Sequence, residues 1–291
     1  MPTATALLFC RDPLRPAACD PQFAAEAAAA RDAGAAVALL DHDALLAGRA
    51  DEAVRRVPPG LGPVRYRGWM IPAPRYADLA TALDRRGARL RTTPEMYRTA
   101  HELPGWYAGF ASVTPPTAYV PCAPHAVPSP AGLAALAAVL PAGPGIVKDY
   151  VKSRKHEWDE ACHVPDLADT AALHRVVTRF AALQSDDLAG GIVLRAFEPF
   201  DRAVGEARVW WLNGAPLLVT AHPDTPALRP EPALDAFRPL VAALPCRFVT
   251  TDLARRADTG VWRLVELGDA QVTGLPAGAD PAPLITALTT D

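Results

Sequence analysis

The chain has no CxxC pair, no two histidines at metal-ligand spacing and no apolar run of bilayer length. Its five cysteines, Cys10, Cys19, Cys122, Cys162 and Cys246, are odd in number and widely spaced. That argues against a disulfide framework or a structural zinc site and fits a reducing cytoplasm. Among the seven histidines, His156 and His163 stand seven apart, outside the short spacings of metal ligands. The longest apolar helix candidate, Ala131–Leu140, falls far short of the ~20 residues that span a bilayer. Met1 to Arg11 has no basic leader region, so no signal peptide is expected. There is no GxGxxG after a strand, no GxxxxGK[ST], no HExxH and no GxSxG, which removes the common glycine-rich phosphate loops, helical zinc hydrolases and serine elbows. A strong basic excess is also missing: the net charge is −3, which argues against coating a nucleic acid. The expectation is a cytoplasmic protein with neither membrane nor nucleic acid as partner.

What is present is an ordinary globular composition with many prolines. At 291 residues, 50% hydrophobic and 21% charged, the chain can bury a large core as two domains or one large one. The 31 prolines are spread through an Ala- and Arg-rich sequence, which reads as proline-rich loops and not as a low-complexity protein. The first third alternates strand and helix signals. Ala6–Cys10, Ala35–Leu40 and Val64–Met70 read as strands. A helix opens at Asp20-Pro21 and stops at Gly34; a second, Tyr76–Arg86, stops at Gly87. This βαβ-type pattern predicts a small parallel sheet in an N-terminal α/β domain, residues 1–91.

Beyond it, Thr93-Pro94-Glu95 opens a short helix and a proline-rich stretch to Pro130 reads as a connection into a second domain. Strands are expected at Ile146–Val151 and Gly191–Phe197, with helices at Ala131–Leu140, Thr170–Gln184 and Ala233–Leu244. Asn213-Gly214 between Glu206–Leu212 and Pro216–Ala221 is a strong hairpin signal. Cys246–Leu253 and Trp262–Leu267 read as a second hairpin.

Four segments of this second region carry groups suited to chemistry. Lys148 lies among Ile146, Val147 and Val151, where an ammonium is poorly tolerated without an anion. It reads either as a phosphate contact or as a surface pair with Asp149 on an edge strand. Leu194-Arg195-Ala196-Phe197 ends a strand before a proline-stopped turn, and reads as a binding hinge or as a core strand with exposed ends. Glu206 and Arg208, two apart, share one strand face, opposite Ala207, Val209 and Trp211. They are either site groups or a solvated pair. Asp252 and Glu266 oppose each other across the last hairpin, which is unfavourable unless a cation lies between them. The alternative is an acidic rim.

In their order these segments resemble the ATP-grasp superfamily, over roughly Thr92–Pro276. The likeness is greatest to the divergent clade that includes the eukaryotic assembly factor for translation initiation factor 2. The resemblance implies an α/β (α+β) protein: the N-terminal βαβ-type domain, then an ATP-grasp fold of two α+β lobes over residues 92–291, with ATP between the lobes. It implies that Lys148 contacts the phosphates and that Leu194, Arg195, Ala196 and Phe197 hold adenine. It implies that Glu206 holds the ribose and Arg208 faces the transferring phosphate, and that Asp252 and Glu266, with Asp269, bind Mg2+. Lys152 and Arg195 would offset developing charge, and Arg195 would also suit a substrate carboxylate.

The sequence departs from the family pattern in four places. A basic Lys152-Ser153-Arg154-Lys155 replaces a glycine-rich loop, and Arg98 is the nearest substitute for an earlier lysine. Arg195 stands where an acid is common, and Gly268 stands where an asparagine is usual. The activity implied is an ATP- and Mg2+-dependent carboxylate–amine ligase that passes through an acyl phosphate and releases ADP and phosphate. Its partners would be a carboxylate substrate and an amine acceptor, whether small molecule, peptide or protein. The rival reading is an ATP-binding assembly factor or chaperone without ligase turnover. A lysine nucleotidyl transferase is disfavoured because Asp149 follows Lys148 directly, with no KxDG.

Overall fold

A computed structural model describes residues 5–276 and 278–290. It is a mixed α+β structure with one parallel and two antiparallel sheets. The parallel sheet has the order β2-β1-β3-β4, with β1 (Ala6–Cys10), β2 (Val37–Leu40), β3 (Gly62–Arg67) and β4 (Ala88–Leu90). All five residues of β1 are buried, as a central parallel strand covered on both faces requires. Its helices are α1 (Ala24–Asp32), α2 (His42–Leu46), α3 (Ala50–Ala53) and α4 (Ala73–Asp84). Asp20 caps the single 3-10 turn before α1, accepting from the Gln22 amide at 2.9 Å. Gly87 takes φ +69° just after α4, a conformation that residues with a Cβ resist.

Two helices follow, α5 (Pro94–His101), capped by Thr93, and α6 (Leu103–Phe110). The proline-rich stretch expected to be only a connection contains α6 and a strand, β5 (Thr117–Pro121). β5 is an edge strand, where Pro121 removes no needed hydrogen bond. The central antiparallel sheet, in the order β5-β8-β6-β7, adds β6 (Gly145–Lys148), β7 (His163–Val164) and β8 (Gly191–Ala196). Helices α7 (Pro130–Ala137) and α8 (Thr170–Gln184) cover one face. Leu173, Val177 and Phe180 of α8, at helical spacing, pack there with Val147, Ile192 and Leu194. The strand expected at Ile146–Val151 stops at Lys148. Asp149 turns the chain, its carboxylate accepting from the amides of Val151 (2.7 Å) and Ala189 (3.2 Å), the Lys152 amide, and Gln184 Nε2 (2.7 Å).

The third sheet, β10-β9-β11-β12, is antiparallel: β9 (Glu206–Leu212), β10 (Ala215–Ala221), β11 (Phe248–Arg255) and β12 (Trp262–Asp269). Asn213 and Gly214, with φ +52° and +77°, make the expected tight hairpin turn. The helix expected over Ala233–Leu244 is only α9 (Arg238–Ala242), because Pro239 is tolerated in a first turn and not within a helix. One face of this sheet, with Val209, Trp211, Leu253 and Leu264, packs on Leu103, Trp106 and Phe110 of α6.

The other face is divided along its length. Trp210 and Phe248 lie in one cluster with Leu7 and Phe9 of the parallel sheet, α1, and the last helix α10 (Ala282–Thr290). Fully buried Arg67 ties the sheets together. It forms two 2.7 Å bonds to Glu26, donates to the carbonyls of Ala270, Gln271 and Thr273, and lies 5.3 Å from the Trp210 ring centre. The parallel sheet therefore covers the Trp210 end of this face. Among the described residues no helix is long and apolar enough to cross a membrane.

Candidate active site

Glu206, Arg208, Asp252 and Glu266 stand on the same face as Trp210, beyond the covered end. Cross-strand register makes one row of Thr220, Arg208, Asp252 and Glu266. Asp252 and Glu266 are directly paired, as expected from the hairpin. Beside Asp252 the ladder has a bulge in which Val265 is the extra residue. Arg208 does not form a solvated pair with Glu206. Its Nε and Nη2 each lie 2.7 Å from a different oxygen of Asp252, a bidentate bond on a largely buried side chain. Glu206 occupies the next row. Burial, reinforced by the negative charges of Asp252 and Glu266, pushes its carboxyl pKa up to about 8.

Lys148 and Arg195 come from the central sheet. Ile146 pairs with Arg195 and Lys148 with Val193, so Lys148 and Arg195 share the face opposite the one covered by α7 and α8. Lys148 is 6% exposed, and its ammonium has no hydrogen-bond or ion-pair partner among the described residues. It is not paired with Asp149, whose oxygens accept from the four N–H groups above, and β6 is an interior strand. Burial lowers the Lys148 pKa while Glu266 acts in the opposite sense. Arg195 is buried, donates to Thr117 Oγ1 (3.1 Å) and to the Val265 carbonyl, and leaves Nη2 buried without a partner. Burial brings its pKa down to about 10, again opposed by Glu266. A cationic wall and an acidic wall therefore interact through Glu266, and the bulged Val265 carbonyl joins them. Buried unpartnered cations opposite carboxylates fit a polyphosphate with its divalent cation: the cations suit phosphate oxygens, and Asp252 with Glu266 supplies hard oxygen ligands.

The remaining expected positions lie around this centre or away from it. Leu194 and Ala196 are buried at the end of β8, and the amides of Ala196 and Phe197 are bonded to the carbonyls of Pro116 and Pro144. The Phe197 ring meets Trp158 and His163 edge-on. Lys152 is an exposed turn residue, its amide bonded to Asp149. Arg98, on α5, pairs with Glu102 at 3.0 Å and is 68% exposed, outside the cluster. Asp269 is not brought to Asp252 and Glu266. Three residues along β12 from Glu266, it takes the opposite face, fully buried, and accepts from the Gln271 amide (2.9 Å) and Nε2 (3.0 Å).

His222 joins the site without having been expected. Its Nε2 is 3.6 Å from Asp252 Oδ2, and its Nδ1 accepts from the Asp224 amide at 3.2 Å. Asp224 in turn pairs with Lys155 of the basic segment. Counting back from the Asn213-Gly214 turn puts Ala221 opposite Glu206. An extra residue, Leu217, shifts the register beside Pro216, so that the His222 amide donates to the Glu206 carbonyl at 2.8 Å. A proline at the start of a hairpin strand, favouring a bulge, was the one sequence signal for this.

A family model described as an ATP-grasp domain, the third family of its clade, matches residues 135–288. No curated protein sequence matches the chain. Among solved structures, a RimK domain protein ATP-grasp from Sphaerobacter thermophilus superposes with a TM-score of 0.62 at 14% identity, covering 98% of this chain and 100% of that one. D-cycloserine synthetase DcsG gives 0.60 at 19% identity, covering 97% and 99%. The ATP-grasp ligase PsnB, solved with a minimal precursor, Mg and ADP, gives 0.57 at 12% identity, covering 98% and 97%.

Proposed function

Because the chain belongs to the ATP-grasp family, we propose that it binds ATP between the central and third sheets and uses it to join a carboxylate to an amine. The observation that carries this reading is the pair of buried cationic groups without partners, Lys148 Nζ and Arg195 Nη2, set against the Asp252–Glu266 pair. Such groups are costly in a free protein and become favourable when an anion arrives.

In this reading Lys148 and Arg195 hold phosphate oxygens, Glu206 accepts from ribose hydroxyls, and the end of β8 borders the base. Asp252 and Glu266 would hold Mg2+, which when bound offsets phosphate charge. A carboxylate oxygen of the substrate attacks the γ-phosphorus and the bond to the β–γ bridging oxygen breaks, giving an acyl phosphate and ADP. The amine nitrogen then attacks the acyl carbon, phosphate leaves, and the nitrogen loses a proton. The protein's task is alignment and charge compensation, since phosphoryl transfer needs little covalent help. Arg208 passes from Asp252 to the transferring phosphoryl group as charge builds there.

The test is a coupled ADP-release screen over amino acids, dipeptides and hydroxy acids with amine acceptors. ADP release that requires both a carboxylate and an amine, with amide detected by mass, is the expected result. Tight ATP binding with no ADP release across the screen would instead identify a nucleotide-binding assembly factor.

A further inference from the structure

We infer that Glu206, His222 and Asp252 form a site for a borderline divalent transition ion, Zn2+, Co2+ or Mn2+, that fills without nucleotide. Each side chain offers one ligand atom, and these atoms lie within 4.8 Å of one another. The site differs from the Asp252–Glu266 pair in containing an imidazole. Nitrogen donors favour first-row transition ions, whereas Mg2+ favours oxygen and keeps much of its water.

A second feature, outside these three ligands, points the same way. Imidazoles that bind metals through one nitrogen commonly donate the other N–H to a carboxylate. Asp224 Oδ2 lies 3.6 Å from His222 Nδ1, and Lys155 holds Asp224. In the metal-free protein Nδ1 accepts from the Asp224 amide, so the ring proton sits on Nε2. Ligation through Nε2 moves that proton to Nδ1, where the Asp224 carboxylate is the acceptor at hand. Close by, Thr220 Oγ1, on the same strand face as His222, is buried without a hydrogen-bond partner and offers a further oxygen. Glu206, Asp252 and Glu266, when ionised beside the one guanidinium of this face, leave two negative charges, which a divalent ion offsets.

The site needs no nucleotide, so it is tested apart from the ligase reading. Nucleotide-free protein is titrated with CoCl2, following visible absorption and calorimetry, and with MgCl2 in parallel. The expected result is one Co2+ per chain, displaced by Zn2+ and bound at least ~10-fold more tightly than Mg2+. Glu206→Gln and His222→Gln should each weaken Co2+ by at least ~10-fold, and Asp224→Asn by about 10-fold or more. His156→Ala, an exposed histidine of the basic segment, should leave binding unchanged. Thermal unfolding verifies that each variant is folded. Absence of Co2+ binding by the parent, or equal Co2+ affinity in His222→Gln and Glu206→Gln and the parent, overturns the site. Mg·ATP affinity measured on the same parent protein separates the two readings: ATP binding without Co2+ binding removes only this inference, and Co2+ binding without ATP binding removes only the nucleotide reading.

Discussion

Lys148→Met should make the nucleotide-free protein more stable and its nucleotide binding much weaker. The side chain is 6% exposed at the end of an interior strand, and its ammonium has no partner among the described residues. Methionine keeps the unbranched shape and fills irregular space without a charge. Relief of the buried charge is worth about 1 kcal/mol, within the range of single stabilising substitutions. For a chain of this size that raises Tm by about 2–4 °C. The loss in binding follows from a charge-assisted contact to phosphate, about 1.5–3 kcal/mol, or roughly 10- to 150-fold in Kd.

The pH dependence has a definite sign. The folded Lys148 pKa lies below its ordinary value of 10.5. The penalty is therefore complete below the folded pKa and disappears as pH rises toward 10.5, so the advantage of the methionine variant narrows in alkaline buffer. Thermal unfolding with and without Mg·ATP, with calorimetry, reads all three effects. A lower Tm in the variant without nucleotide would mean that the ammonium is satisfied in the folded protein. An unchanged ATP affinity would remove Lys148 from the nucleotide site.

Arg208→Lys keeps a charge but loses the planar fork that grips Asp252. ATP affinity should stay within a few-fold while amide formation falls about 10²-fold, as for a lost transition-state donor. Equal losses in calorimetry and turnover would assign Arg208 to ground-state binding only. Glu266→Gln should abolish most of the extra thermal shift that Mg2+ adds to ATP, and a shift equal to the parent's would show that Glu266 does not hold the ion. His101, buried against Tyr97, has its pKa lowered to about 4 by burial and by Lys152 and Lys148. The unfolded chain takes up the proton first, so stability present above pH ~6.5 is lost as pH falls toward 4, about 3 kcal/mol in all. His101→Phe should flatten that acid limb in denaturant titrations, and identical slopes for parent and variant would contradict the burial argument.

Local pattern and turn chemistry carried much of the fold into view. The continuous apolar run Ala6–Cys10, the cap at Asp20 and Gly87 beyond α4 each act within a few residues, and so the parallel strands and their helices were legible. The span of α8, Thr170–Gln184, and the start of β9 followed from helical spacing and from the Asn213-Gly214 turn. The Asp252–Glu266 pairing was legible because it too depends on one hairpin. Elements in proline-rich surroundings, β5 and α6, were hidden because their stability comes from packing on distant strands.

At the site, only the tertiary structure decided which groups meet. Asp149 was nearest to Lys148 in sequence, yet the turn and Gln184 of a distant helix take up its oxygens. Arg208 was expected to stand free toward phosphate, yet cross-strand register sets it on Asp252. Asp269 followed the acidic pair in sequence, but strand alternation sends it to the opposite face. His222 enters because one extra residue beside Pro216 moves it into register with Glu206. A sequence specifies types of group and short-range periodicity. Bulges and the pairing of remote strands fix which groups come within a few ångströms, because a shift of one residue turns every later side chain to the other face.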